Sequence, residues 1–158
     1  MRDPITGVKF RILAFAALAG LLACGKSTER KVHFEKPEDG ASLESPFPVS
    51  MKAENLIVEP AAKGVTDGHG HFHIIIDAPA PEAPMPVGKD AQHIHYGTGD
   101  SETTLDLPPG EHTLILQFAK GDHVPYSPQI SEEIHVRVTK QNTPPPAAGS
   151  KADSAKSP

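Results

Sequence analysis

The sequence predicts an all-β fold, an immunoglobulin-like antiparallel β-sandwich of about seven or eight short strands, and three observations carry that prediction. Several stretches alternate apolar and polar residues with a period of two, as in "HTLILQF" and "EIHVRVT". Clusters of Pro, Gly and Asp separate them ("KPEDG", "APAPEAPMPVG", "LPPGE"), as turns between short strands require. Beyond the N-terminal leader, no stretch sustains the 3.6-residue apolar period of a helix. With no tryptophan and a single cysteine, the core of an antibody domain is excluded.

Residues 1–23 read as a leader. Arg2, Lys9 and Arg11 form a basic start, and Ile12 to Ala23 is apolar apart from Gly20. A run of about a dozen apolar residues is too short to span a bilayer and suits a signal-peptide core. It ends in Leu21-Leu22-Ala23-Cys24, which resembles the lipobox of bacterial lipoproteins. That resemblance implies cleavage before Cys24, lipid on its sulfur and acylation of the new amine, a stable membrane anchor. Gly25 rather than Asp follows, which in Gram-negative lipoproteins implies release to the outer membrane. The expected location is therefore the cell envelope, facing the periplasm.

Cys24 is the only cysteine, so no disulfide framework exists and no thiolate is left to hold a metal. The leader takes Arg2, Lys9, Arg11 and Asp3 with it, leaving 12 of 15 basic and 19 of 20 acidic residues, a net charge of about −7. That balance argues against nucleic acid as a partner and against an anionic lipid surface beyond the anchor itself.

Cys24 to residue 30 forms a short polar tether, and residues 31–139 make one domain large enough for a single core. Residues 140–158 are rich in Pro, Ala, Ser and Lys and lack large apolar side chains. Such a tail cannot offset its ordering entropy and is expected to be disordered. Within the domain, "KVHFEKP" turns Val32 and Phe34 inward and His33 outward, and "FPVSMKA" does the same with Phe47, Val49 and Met51. "HFHIIID" places Phe72, Ile74 and Ile76 on one face and His71 and His73 on the other. "HTLILQF" aligns Leu114, Leu116 and Phe118 against Thr113, Ile115 and Gln117, and "EIHVRVT" sets Ile134, Val136 and Val138 against His135 and Arg137.

Taken together, Val32–Phe34 with "PEDG", "GHFHIIID", "QHIHYGTGDSETTLDLPPGEHTLILQFAKGDHVPYSP" and "SEEIHVRV" resemble the bacterial domain of unknown function 4399 family, from about Val32 to Val138. The resemblance implies an exported β-sandwich. It brings no activity with it, so function has to be argued from the site.

Nine histidines fall in the chain, all of them between residues 33 and 135. His33 and His135 alternate with core residues and should face solvent, while His69 sits in a Gly-flanked loop. His112 shares the parity of Leu114 and should point inward, as a satisfied core histidine or as a donor orienting a metal ligand. The sharper set is His71, His73, His93, His95 and His123. Two His-x-His pairs on neighbouring strands, with His123 on a loop, can converge on one ion at about 2.0–2.1 Å. Three readings stay open: a metal site, a hydrogen-bonded structural cluster, and separate surface histidines. Imidazole suits copper(II) or zinc(II), and the isolated Met51 and Met85 make a copper(I) shuttle a poor fit. Asp67, Asp77 and Asp122 are candidates to complete such a site or to orient a ring. No nucleophile elbow, phosphate loop or dinucleotide fingerprint is present, so no enzyme and no organic cofactor is expected. Two functions follow as candidates: a lipid-anchored copper- or zinc-binding module of the envelope, or a metal-free structural or protein-interaction module.

Overall fold

The computed structural model describes residues 28–142. The leader, Cys24, the first part of the tether and the tail from residue 143 onward lie outside the described residues. Nine strands form two packed sheets: β1 (Lys31–Lys36), β2 (Ser42–Ser45), β3 (Phe47–Glu54), β4 (Ile57–Val58), β5 (His69–Ile76), β6 (His93–His95), β7 (Glu102–Leu105), β8 (Gly110–Ala119) and β9 (Ser131–Gln141). The smaller sheet has the order β1-β3-β7, and the larger runs β2-β9-β8-β5-β4, with β6 also paired to β5. Among the described residues no helix is long and apolar enough to cross a membrane.

The β-sandwich expected from the alternation is present. Val32 and Phe34 of β1, Phe47, Val49 and Met51 of β3 and Leu105 of β7 face Phe72, Ile74 and Ile76 of β5 across one core. Leu114, Leu116 and Phe118 of β8 and Ile134, Val136 and Val138 of β9 complete it. Cross-strand register pairs Phe72 with Phe118 and Ile74 with Leu116. The two phenyl rings meet edge to face, 5.4 Å between centroids. Burying each such side chain contributes about 1.5–3 kcal/mol.

Two pairings depart from a purely antiparallel sandwich. β2 runs parallel to β9, and β4 runs parallel to β5. The first has a local cause in the Asp39-Gly40 turn: Gly40 N–H donates to the His135 carbonyl, and His135 N–H donates to Asp39 Oδ1. With φ at 77°, Gly40 takes a left-handed conformation that suits glycine and lays β2 alongside β9.

A second departure matters more for function. The reading of the outer face of β5 as separate surface histidines is the one the burial disfavours, because every residue from Gly70 to Ile76 is buried. Residues 77–92 and the 120–130 loop roof that face. Gln117 and Gln129 both donate side-chain amide hydrogens to the Pro81 carbonyl, and Val87 N–H donates to the His123 carbonyl.

Candidate metal centre

His71 and His73 lie two apart on β5 and project from the same face, as period-two geometry dictates. Under the roof both are fully buried. β6 runs antiparallel to β5 with His95 opposite His73, which brings a third imidazole onto that face. Its ring leans along the strand over Gly97. A Cβ at residue 97 would lie 2.1 Å from His95 Cε1 and 2.3 Å from Nε2, so only glycine leaves room for that ring. His123 arrives from the loop after β8. Its φ of 65° is left-handed, a region where histidine is enriched among non-glycine residues and which costs about 1–2 kcal/mol. Hydrogen bonds from His123 N–H to the Lys120 carbonyl (2.8 Å) and from Lys120 N–H to the Val124 carbonyl (3.1 Å) hold the turn that aims the ring inward.

The four rings form one cluster, with ring centroids 4.6–5.8 Å apart in all six pairings. One nitrogen from each of His71, His73, His95 and His123 can be chosen so that all lie within 4.8 Å of one another. His71 Nε2 is 3.0 Å from His73 Nε2 and 3.2 Å from His123 Nδ1. Bonds of 2.0–2.1 Å to a tetrahedral ion would space nitrogens about 3.3 Å apart, within a few tenths of an ångström of both distances.

The electrostatics favour ligation over protonation. Burial first, then the charges that His95 and His123 would carry, hold His71 down to about 4. Burial and the surrounding imidazoles hold His73 down to about 3, and His95 is lowered chiefly by burial, with His123 and Lys89 adding to it. Neutral imidazoles present a lone pair each, the form a metal needs. Nδ1 of His71 and of His73 are buried without a hydrogen-bond partner among the described residues. If those atoms carry the ring protons, two Nε2 lone pairs face each other at 3.0 Å. A shared proton or a cation relieves that repulsion, and burial disfavours the proton.

The remaining expected residues are elsewhere. His93 is on the correct face, opposite Ile75, but its Nδ1 lies 2.9 Å from Asp90 Oδ1 and it stays out of the cluster. Asp90 captures it because the same carboxylate oxygen accepts the Gln92 and His93 N–H groups in a tight turn. No carboxylate joins the cluster among the described residues. Asp67 forms a two-pronged pair with Arg30, Asp122 caps the Val124 N–H, and Asp77 binds His112 and the Thr113 N–H. His112 is thus a satisfied core histidine, with its second nitrogen 2.8 Å from the Pro108 carbonyl. His69 opens β5 rather than lying in a loop, its Nδ1 3.1 Å from Glu59 Oε1, while His33 and His135 point away from the core as expected. Gly97 was missed by pattern reading, although a glycine two residues after a His-x-His pair is a visible sign of a ring laid along a strand.

Residues 49–139 match the family model described as domain of unknown function (DUF4399), more than half of the chain. The chain belongs to the DUF4399 family. The match runs from within β3 to within β9, takes in all four clustered histidines, and leaves out β2 and also β1, where the expected resemblance began. No curated protein matches this DUF4399 chain. Among solved structures, an endo-beta-1,4-mannanase from Thermotoga petrophila is similar at a TM-score of 0.42 and 16% identity, covering 71% of this chain and 20% of that one. The chain spans about a fifth of the mannanase, and the likeness carries no argument about activity.

Proposed function

We propose that this protein is a lipid-anchored, non-catalytic metal-binding module of the cell envelope that holds one copper(II) or zinc(II) ion at His71, His73, His95 and His123. The observation that carries the reading is the convergence of four imidazoles on one spot in a domain with no thiolate to offer. Holding a borderline cation through nitrogen alone suits buffering or delivery. The leader and Cys24 support an envelope location, on the outer membrane and facing the periplasm.

Metal analysis and calorimetry on the full chain, purified without a histidine tag, test the metal: one equivalent of Cu(II) or Zn(II) per chain is expected. Absence of binding to either ion returns the cluster to a structural role, in which the hydrogen-bonded chain His73–His71–His123 ties β5 to its roof and the surface serves a protein partner. Labelled fatty acid tests the anchor. Incorporation into the wild type and none into Cys24→Ser is expected, and equal labelling of both would sink the lipoprotein reading.

A further inference from the structure

The cluster has one open side. His71 and His73 are sealed from solvent, whereas His95 and His123 are half-buried and line a cleft of about 240 Å3 with Val87, Gly88 and Lys89. Of these five residues Lys89 is the one with an ammonium side chain, none is acidic, and Lys89 itself is exposed. A cationic side chain beside a cation site is repulsive unless negative charge lies between them. Imidazole ligands carry no negative charge, so a divalent ion held by four of them keeps its full charge in a half-buried setting, which is costly without a counter-charge. The cleft is smaller than the roughly 300–1,000 Å3 of drug-sized sites, which favours a small occupant.

We propose that this cleft admits a small monoanion of the carboxylate class as a further ligand to the bound ion, with the Lys89 ammonium holding its outer end. The inference rests on the metal reading above and names the exchangeable ligand of that same site. His71 and His73 form the closed back of the site, and exchange takes place through the His95–His123 side.

The test uses the full, tag-free chain loaded with Cu(II), with sodium azide as the probe and sodium formate as the competitor. Azide should produce a new ligand-to-copper absorption band while copper stays on the protein through desalting, and formate should reverse the band. At saturating copper, Lys89→Glu should weaken azide binding by about tenfold, as expected for reversing a nearby charge. Lys52→Glu, on the β3 strand of the opposite sheet, should change it less than about twofold. A copper-loaded protein whose spectrum ignores azide overturns the open ligand position, and equal azide affinity in wild type and Lys89→Glu overturns the role of Lys89. Failure to load copper or zinc at all is a separate result, read before azide is added, and it removes the metal reading itself.

Discussion

The four-histidine cluster, built on β5, β6 and the loop after β8, and His112 on β8 belong to the same sheet, yet their imidazoles live under opposite rules. Around His71 and His73 burial and other imidazoles press the rings to stay neutral. His112 is also largely buried, which by itself lowers it, but Asp77 Oδ2 at 2.7 Å and the Pro108 carbonyl at 2.8 Å accept from both ring nitrogens. Those acceptors outweigh burial and raise His112 above its ordinary value. A ring that faces two oxygens must carry two N–H groups, and a ring that faces other rings gains by carrying a free lone pair. What surrounds each nitrogen, more than depth alone, decides whether a buried histidine becomes a cation or a ligand.

The largest expected effect separates the two regions by pH. The folded-state values of about 4 and 3 for His71 and His73 lie below the ordinary 6.5, so the fold binds fewer protons than the unfolded chain between those values. Their contribution is complete above about pH 6.5 and is lost as the pH falls toward 4 and then 3, amounting to several kcal/mol. Urea unfolding of the metal-free protein should show this loss beginning well above the carboxylate range, and equal stability at pH 7.5 and pH 5 would break the contrast.

Next comes the metal. At free Cu(II) or Zn(II) one hundred times Kd, stability at pH 7.5 should rise by about 2.7 kcal/mol. His71→Ala/His73→Ala should remove that rise, and so should His95→Ala/His123→Ala, whose half-buried rings make a folded variant easier to obtain. His33→Ala and His135→Ala should keep it, and loss in those two would mean that the ion sits elsewhere.

His112→Asn should cost about 1–3 kcal/mol, because it leaves Asp77 and a carbonyl without their donor. The sign is opposite to that of the cluster: a raised value gives stability that is full below about pH 6.5 and fades as the pH climbs through the folded value. The cost should therefore be larger at pH 5.5 than at pH 8.5, and the reverse order would show that His112 is held neutral. The smallest effect is expected for His93→Ala, which should change metal affinity by less than about 0.5 kcal/mol in a titration, since Asp90 keeps that ring outside the cluster.

Much of this was legible in the sequence because alternation is strict where one face of a strand meets the core. Phe72, Ile74, Leu114, Leu116 and Phe118 are all fully buried, in the register their spacing implies. The same alternation placed His71, His73 and His95 on one face correctly. It failed on what covers that face, because a roof made by residues 77–92 and 120–130 has no period to read. Composition marked those segments as loops, and whether a loop lies over a sheet depends on distant partners such as the Gln117 and Gln129 amides at the Pro81 carbonyl. His93 failed for a local reason: alternation fixes the face, while an acceptor three residues back fixes where the ring goes. His123 was legible as a loop candidate, but its inward aim depends on a left-handed backbone that sequence spacing does not reveal.

The position of β9 has a consequence for the order in which the molecule can be completed. It is the last described strand in the chain, yet it lies inside the larger sheet, hydrogen-bonded to β2 on one side and β8 on the other. A chain emerging from its N-terminus can pair β5 with β8 and β1 with β3, but β2 has no neighbour until residues 131–141 are available. The core layer contributed by Ile134, Val136 and Val138 stays open for the same interval. Closure of the sandwich therefore waits on the final strand.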